Sequence, residues 1–356
     1  MNHDATCSVL VPVFNEERYI EESVAAMTRQ QYHGELEFLF ADGGSADSTV
    51  EILRRLGAQD PRIRVLSNPR RTVSSGLNVA LRHACGRWAA RMDAHTVYPA
   101  NYVALGVDRL SRGGTRWVSG PQIPVGHNRV SRAVSLALSC GLGRGGSRKW
   151  GTGLEGSGDE FDLDTGVFAG VWERATLLHY GGWDERWTVN EDSEMAARFL
   201  ARGERLVCLP AMAARYTPRD TFGGLWRQYL RYGEFRARTA KQHPRSMRAS
   251  HLLAPGVVAV TASAVVAPGR ARRTARLGII VYGVTVTSAG IDALRAAPSP
   301  PPSEAALVPV VLAVMHVAHG LGQWVGWVRF RPPVDALAAL VRLGHPDEAP
   351  RDDITC

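Results

Sequence analysis

What this chain lacks narrows it before any motif is read. Its five cysteines, Cys7, Cys85, Cys140, Cys208 and Cys356, are scattered, and no two stand in a C-x-x-C spacing. That argues against a zinc ribbon or a dithiol redox centre, and free thiols in a reducing compartment are expected. No apolar leader opens the chain, since Asn2, His3 and Asp4 run straight into a strand-like segment. The N-terminal part is therefore expected to stay in the cytosol. No Gly-rich loop with basic residues follows the first apolar run, as a nucleotidyltransferase would require. Phe14-Asn-Glu-Glu17 stands there instead, and its carboxylates would repel phosphate. Basic residues are dispersed and form no recognised nucleic-acid module.

What is present suits a large folded chain. Of 356 residues, 45% are hydrophobic, enough for a full core. The formal net charge of +8 suits phosphorylated substrates, nucleic acid or an anionic membrane surface, and does not choose among them. Strand and helix patterns alternate four times. Ser8–Phe14, Leu36–Ala41, Arg64–Leu66 and Trp88–Met92 read as strands. Helical spacing follows at Ile20, Val24 and Met27, then at Val50 and Leu53 behind a Ser48-x-x-Glu51 capping box. A third helix carries Leu77, Ala80 and Leu81, with Ser75 as its candidate cap. This alternation predicts a mostly parallel, doubly wound α/β sheet. Residues 141–158 read as a surface loop, Phe161–Val171 and Leu206–Leu209 as strands, and Glu191–Ala201 as a helix.

Asn15, Glu16, Asp42 and Asp93 all follow the carboxyl ends of these strands, the edge where open α/β sheets bind ligands. Asp and Asn also serve there as turn formers and caps. Asp93 and His95 are two apart on an extended chain, so both could face one divalent cation. Glu191 and Asp192 open a helix. A carboxylate there is either a dipole-favoured cap or a general base. Gln228 and Arg231 share one helical face in a basic, aromatic stretch, suited to an acceptor, a diphosphate or anionic lipid.

The last third changes character. Three apolar segments, 252–267, 277–294 and 305–328, stand out. The first is short for a membrane span and the others approach the needed length. Arg270, Arg272, Arg273 and Arg276 precede the second, while Pro298–Glu304, between the second and third, holds no Lys or Arg. By charge asymmetry, the first segment would lie in the interface. The other two would form a hairpin with its Pro-rich turn across the membrane from the catalytic part.

Val11-Pro-Val-Phe-Asn-Glu16, Ala41-Asp-Gly-Gly-Ser-Ala-Asp47, Asn78, Met92-Asp-Ala-His95, Gly182-Trp-Asp-Glu185, Glu191-Asp-Ser-Glu194 and Gln228-x-x-Arg231-Tyr232 occur in this order. As a set they resemble the family-2 glycosyltransferases, above all the succinoglycan-biosynthesis type, whose membrane tail has an end like His316-x-x-His319-Gly-Leu-Gly322. The resemblance implies a GT-A catalytic domain at 1–240 and a helical membrane-associated region at 241–356. The implied reaction is transfer of a hexose-type unit, with inversion, from a nucleotide diphosphate sugar to a lipid-linked or growing polysaccharide acceptor. By the same resemblance Pro12, Phe14, Asn15, Glu16, Asp42 and Asp93 would bind the donor. Asp192 would be the catalytic base with Glu191 beside it, and Gln228 and Arg231 would meet the acceptor or diphosphate. The family's D-x-D is D-x-H here, so Asp93 and His95 would hold the metal, with Mn²⁺ favoured over Mg²⁺ by the imidazole. Tyr232 stands where polymerising members have Trp. The implied location is the cell membrane, with the catalytic domain cytoplasmic. A catalytically degenerate membrane scaffold with a sugar-nucleotide pocket, or a nucleotidyltransferase, is the alternative.

Overall fold

The structure, a computed structural model, describes residues 5–145, 147, 149–150, 158–295 and 301–343. Its first half contains β1 (Cys7–Val13), α1 (Ile20–Thr28), β2 (Leu36–Asp42), α2 (Thr49–Gln59), β3 (Ile63–Ser67), α3 (Val73–His83), β4 (Trp88–Arg91), β5 (Thr96–Val97), α4 (Tyr102–Ser111), β6 (Trp117–Ser119) and β7 (Gln122–Pro124). Then come α5 (Arg129–Ser139), α6 (Gly141–Arg144), β8 (Phe161–Asp162), β9 (Gly170–Glu173), α7 (Arg174–His179), α8 (Glu191–Leu200), β10 (Leu206–Cys208) and β11 (Ala214–Tyr216). The remainder is helical: α9 (Phe222–Gln242), α10 (Leu253–Val266), α11 (Gly269–Arg295), α12 (Pro302–Ala305), α13 (Val308–Phe330) and α14 (Val334–Leu343).

The main sheet has eight strands in the order β3-β2-β1-β4-β9-β6-β10-β8. The first four are parallel, β9 enters antiparallel between β4 and β6, and β8 closes the edge antiparallel to β10. A smaller sheet runs β5-β11-β7. The central strands bury both faces, as parallel strands covered by helices must. Val9 and Val11 of β1 and Phe38 and Phe40 of β2 join one apolar cluster, whereas Leu10 and Leu39 join the other with Leu77, Trp117 and Trp172. That period of two splits the core into two helix-covered layers. The expected mostly parallel, doubly wound sheet is observed.

Two helix starts differ from expectation. Ser48 is the N-cap residue of α2, but its side chain makes no cap bond. Its N–H instead donates to Glu17 Oε2 at 3.0 Å, and Asp47 Oδ1 accepts from Thr49 N and Oγ1 at 3.1 and 2.6 Å. Helix α3 is capped by Thr72, whose Oγ1 accepts from Ser75 N at 3.2 Å, with Ser75 at the third position closing the box. Of the segment read as a loop, Gly141–Arg144 is helical, and residues 146, 148 and 151–157 lie outside the described residues. The four described cysteines are free thiols.

The chain divides into two compact units, Met1–Leu225 with Val284–Ala313, and Trp226–Gly283 with Val314–Cys356. In the first, α12 packs on α5. The nearly buried Glu304 carboxylate requires a counter-charge, and Arg132 supplies it at 3.1 Å. Arg129 also donates to Ser303 O at 3.2 and 3.3 Å. These contacts run against the expected hairpin: Ser303 and Glu304 end its Pro-rich turn, yet they are bonded to the sheet unit. The rest of that turn, residues 296–300, lies outside the described residues.

In the second unit, helices approach backbone to backbone at glycines. A Cβ on Gly233 of α9 would stand 2.0 Å from His319 O of α13, and one on Gly322 2.0 Å from Leu230 O. Small residues at such crossings are characteristic of helix packing in membranes. Three helical stretches, Ala249–Val266, Gly269–Arg295 and Pro302–Phe330, are long and apolar enough to cross a bilayer by length and composition. The first reaches 18 residues because a short 3₁₀ turn, Ala249–Leu252, runs into α10.

Candidate active site

Strands β2, β1 and β4 are neighbours, so the segments leaving their carboxyl ends meet at one edge. After β1 the chain turns at Asn15, whose φ of 55° is a left-handed conformation that Asn tolerates better than most residues. The turn is tied to the segment after β2. Asn15 N donates to Ser45 Oγ at 2.8 Å, Asn15 Oδ1 accepts from Ala46 N at 2.9 Å, and Glu16 N donates to Thr49 Oγ1 at 2.8 Å. Asp42 shapes that second segment, accepting from Gly44 N at 2.9 Å and from Ser45 Oγ at 2.6 Å. Phe14 stays half-exposed above Gly43, while Arg71, with φ 57°, lies against Gly44. Pro12 sits within β1, paired with Ala41.

Asp93 and His95 follow β4. Tyr98 Oη accepts from Asp93 N at 2.7 Å, and Ser23 Oγ donates to Ala94 O, which pins the turn between them. His95 Nδ1 lies 3.2 Å from Glu16 Oε1, bringing two sequence-picked residues together. Dense surroundings disfavour the imidazolium. The hydrogen bond to Glu16 and the charges of Asp93 and Glu16 outweigh that and raise the His95 pKa.

The fourth component arrives from far along the chain. Gly181 and Gly182 turn with φ of 78° and 66°. Asn78 of α3 clamps the segment that follows. Its Oδ1 accepts from Trp183 N at 2.9 Å, and its Nδ2 donates to Trp183 O at 2.7 Å and Glu185 Oε1 at 3.1 Å. Ser74 Oγ adds a bond to Trp187 O at 2.6 Å. From within α8, the buried Glu194 holds Arg198 at 2.8 Å, and Arg198 donates to Tyr180 O and Gly182 O at 2.5 and 2.7 Å. The clamp delivers Asn190, left-handed at φ 58°, and then Glu191 and Asp192 in the first turn of α8.

Arg91 joins the two halves, and sequence reasoning missed it. Its side chain is only 3% exposed. Nε and Nη2 donate to Asp93 Oδ1 and Oδ2 at 2.8 and 3.1 Å, and Nη1 donates to Glu191 Oε1 at 2.9 Å. Burial works against the guanidinium charge, but Asp93 and Glu191 together keep its pKa above the usual range. Burial pushes the Glu191 carboxyl up, against the pull of Arg91 and with the repulsion of Asp192. A signal was available: an Arg in an apolar strand, two residues before Asp93, faces the same way. Lys149 was also missed, inside the segment read as a loop. Its Nζ lies 3.8 Å from Asp192 Oδ2 and donates to Gly166 O at 3.2 Å. Gly166 itself permits the approach, because a Cβ there would stand 2.2 Å from Asp192 O.

Gln228 and Arg231 belong to the second unit, on α9, where Gln228 Nε2 donates to Tyr232 Oη at 3.0 Å. For a metal, Asp93 offers oxygen and His95 nitrogen. Among the described residues no three His, Cys, Asp or Glu side chains converge on one point. Two protein donors suit a cation whose remaining ligands are substrate phosphates and water, as hard divalent cations are commonly held. A proton on His95 must leave first, since only the neutral ring ligates.

The arrangement sets a half-exposed aromatic and loop amides at one edge of the rim and a helix-borne carboxylate at another, with an Arg-bridged acidic pair between them. The family model "Glycosyl transferase family 2" matches residues 8–152. Succinoglycan biosynthesis protein ExoA of Rhizobium meliloti is 29% identical over 326 residues, 91% of this chain and 95% of that protein. The Escherichia coli UDP-Glc:alpha-D-GlcNAc-diphosphoundecaprenol beta-1,3-glucosyltransferase WfgD is 27% identical over 150 residues, 39% of this chain and 58% of that protein. Among solved structures, mannosyltransferase PcManGT from Pyrobaculum calidifontis, in complex with GDP-Man and Mn²⁺, matches with a TM-score of 0.55 at 20% identity. The match covers 90% of this chain and 87% of that one, and so supports the fold. Residues 8–152 match the family-2 glycosyltransferase model, the fold is that of the GT-A neighbours, and helices apolar enough to span a membrane follow.

Proposed function

We propose that this glycosyltransferase transfers a hexose-type unit, with inversion, from a nucleotide diphosphate sugar to a lipid-linked or growing polysaccharide acceptor. The reaction would take place at the cytosolic face of an anionic cell membrane. The observation that carries the proposal is the Asp93–Arg91–Glu191 bridge, which couples the donor edge of the sheet to the first turn of α8, where Asp192 stands. The work is assigned to residues 1–240, anchored by 241–356.

Asp192 is the base. It takes the proton of the acceptor hydroxyl as that oxygen attacks the anomeric carbon, and the bond to the diphosphate breaks on the opposite face of the sugar. Lys149, 3.8 Å from Asp192, supplies it with a counter-charge before the acceptor arrives. Pro12, Phe14, Asn15, Glu16 and Asp42 line the donor side, with loop amides as donors and Phe14 as an apolar face for the base. Asp93 faces the ribose and diphosphate, and Gln228 and Arg231 serve the acceptor or diphosphate. A divalent cation held by Asp93 and His95, with Mn²⁺ favoured by the imidazole, would supply charge neutralisation for the leaving diphosphate. The relatives' printed substrates support the class: a UDP-sugar and a diphosphoundecaprenol-linked acceptor for WfgD, and GDP-Man with Mn²⁺ for PcManGT.

The test is release of nucleotide diphosphate from a panel of nucleotide sugars with Mn²⁺ or Mg²⁺. Asp192→Asn should lower turnover by about 10²–10⁴-fold, the scale of general-base catalysis, while donor affinity stays near wild type. Wild-type turnover, or an equal loss of donor binding, would overturn the assignment of the base.

A further inference from the structure

The donor edge of the rim and the first turn of α8 are joined a second time, through the small sheet. Strand β5 begins at Thr96, directly after His95, and pairs with β11 so that Tyr216 stands opposite Thr96. Strand β11 pairs in turn with β7, where Tyr216 stands opposite Pro124. On the other side of β7 come Lys149 and Trp150. Gln122 N donates to Lys149 O at 2.8 Å, and Gln122 and Trp150 form a parallel bridge. Lys149 then reaches α8, its Nζ lying 3.8 Å from Asp192 Oδ2. Four neighbouring segments thus run from the residue after His95 to the residue beside the base, a width of about 14 Å at ordinary strand spacing.

Two half-buried aromatic rings, Trp150 and Tyr216, belong to that span. Their centroids are 5.8 Å apart with the planes tilted by 42°. Phe168 meets Tyr216 edge-on at 6.3 Å, and Lys149 Nζ lies 5.3 Å from the Trp150 centroid. The same Lys149 Nζ donates to Gly166 O at 3.2 Å, and Gly166 packs on the backbone of Asp192. The indole is therefore oriented by the very groups that hold the base. Core packing is the plainer role for such rings. Yet neither Trp150 nor Tyr216 joins the two apolar clusters that cover the central sheet. A partly open aromatic pair beside a few placed polar groups is the usual lining of a ligand site.

We infer that Trp150, steadied by Tyr216 and Lys149, is the face on which the sugar ring of the acceptor stacks. A pyranose ring has a hydroxyl rim and flat faces of C–H groups. Those C–H groups are attracted to the negative face of an aromatic ring. A sugar lying on Trp150 turns its rim toward Lys149 and Asp192, which brings one hydroxyl to the carboxylate. Fixing that approach is what makes a two-substrate attack effectively intramolecular. The rigid indole does so at small entropic cost. Naming the ring as the acceptor's rests on the proposed function, whereas the sugar-stacking face itself does not.

The test is saturation-transfer NMR on the purified full-length chain in neutral detergent, irradiating aromatic protons. The probes are cellobiose, lactose and di-N-acetylchitobiose. At least one should receive saturation on the protons of one ring face and much less on the other. Trp150→Leu keeps an apolar side chain but no π face, and should lose that pattern. Trp150→Phe keeps an aromatic face and should retain it, which a merely space-filling role would not require. The probe that responds is then supplied as acceptor in the nucleotide-release assay. There Trp150→Leu should raise the acceptor KM by about tenfold, the upper scale of one aromatic contact, with the donor KM unchanged. A wild-type pattern in Trp150→Leu, saturation spread evenly over both faces, or no response to any of the three sugars would overturn the inference. So would displacement of the sugar by uridine, adenosine or guanosine, which would give the face to the nucleotide base. If wild-type protein shows the face-selective pattern but releases no nucleotide diphosphate from any donor, the proposed reaction fails and the sugar face stands.

Discussion

Replacing Arg91 by Met should destabilise the protein in a pH-dependent way. Methionine fills much of the same space but removes three charge-assisted bonds, two to Asp93 and one to Glu191. The Asp93 side chain is 14% exposed and can recover some water, whereas Glu191 is 9% exposed and cannot. Removing one partner of a buried ion pair costs about 3–5 kcal/mol, because a bare charge stays behind. For a unit of this size that is roughly a 10 °C fall in Tm. Burial already holds the Glu191 pKa above its unfolded value, and losing Arg91 raises it further. Between the unfolded and folded values the native state binds more protons, so stability is full below the unfolded pKa and falls as pH rises through the folded one. The deficit of R91M should therefore be large at pH 8 and shrink toward pH 5, and Glu191→Gln in the same background should restore part of it at pH 8. Thermal melts of the detergent-solubilised protein across that range measure this. A Tm equal to wild type, or a deficit independent of pH, would refute the view that Arg91 is there to carry Glu191.

Other outcomes follow from single contacts. Gly182→Ala forces a Cβ to within 2.4 Å of Asn78 Oδ1 at φ 66°. It should cost about 2–4 kcal/mol by denaturant titration, from clash and left-handed strain together. His95→Ala should lose selective activation by Mn²⁺ over Mg²⁺ in the nucleotide-release assay, and an unchanged metal profile would show that the imidazole is no ligand. A cysteine at Ser303 should resist a membrane-impermeant maleimide applied from the side opposite the catalytic unit, because its backbone is bonded to Arg129. Labelling from that opposite side would restore the hairpin.

Much of the sheet was readable because β1 and β2 are continuous apolar runs ending in polar turns, and because strand and helix periods differ. The rim carboxylates were readable for the same reason, since a strand's end fixes where its next residue stands. Arg91 was not, because a charge within a strand has no meaning until Glu191, one hundred residues later, is folded beside it. The cap of α3 was misplaced by three residues, since Thr72 and Ser75 are equally good hydroxyls and only the backbone bond distinguishes them. Glu304 looked like part of a polar turn. Its partner on α5 is 172 residues away, and no local pattern reports such a contact.

That last contact bears on how the protein is made. The unit that holds the sheet takes its final segment, Val284–Ala313, only after the chain has left it at Leu225 and passed through two other helices. During synthesis the sheet can assemble as its strands emerge, but α5 must wait with Arg132 facing no carboxylate until Glu304 has left the ribosome. The enzyme is thus completed by its own tail. A chain cut after residue 240 would keep every rim residue and lose the piece that closes α5, so it should come out as an unfinished fold even though its sequence of motifs is intact.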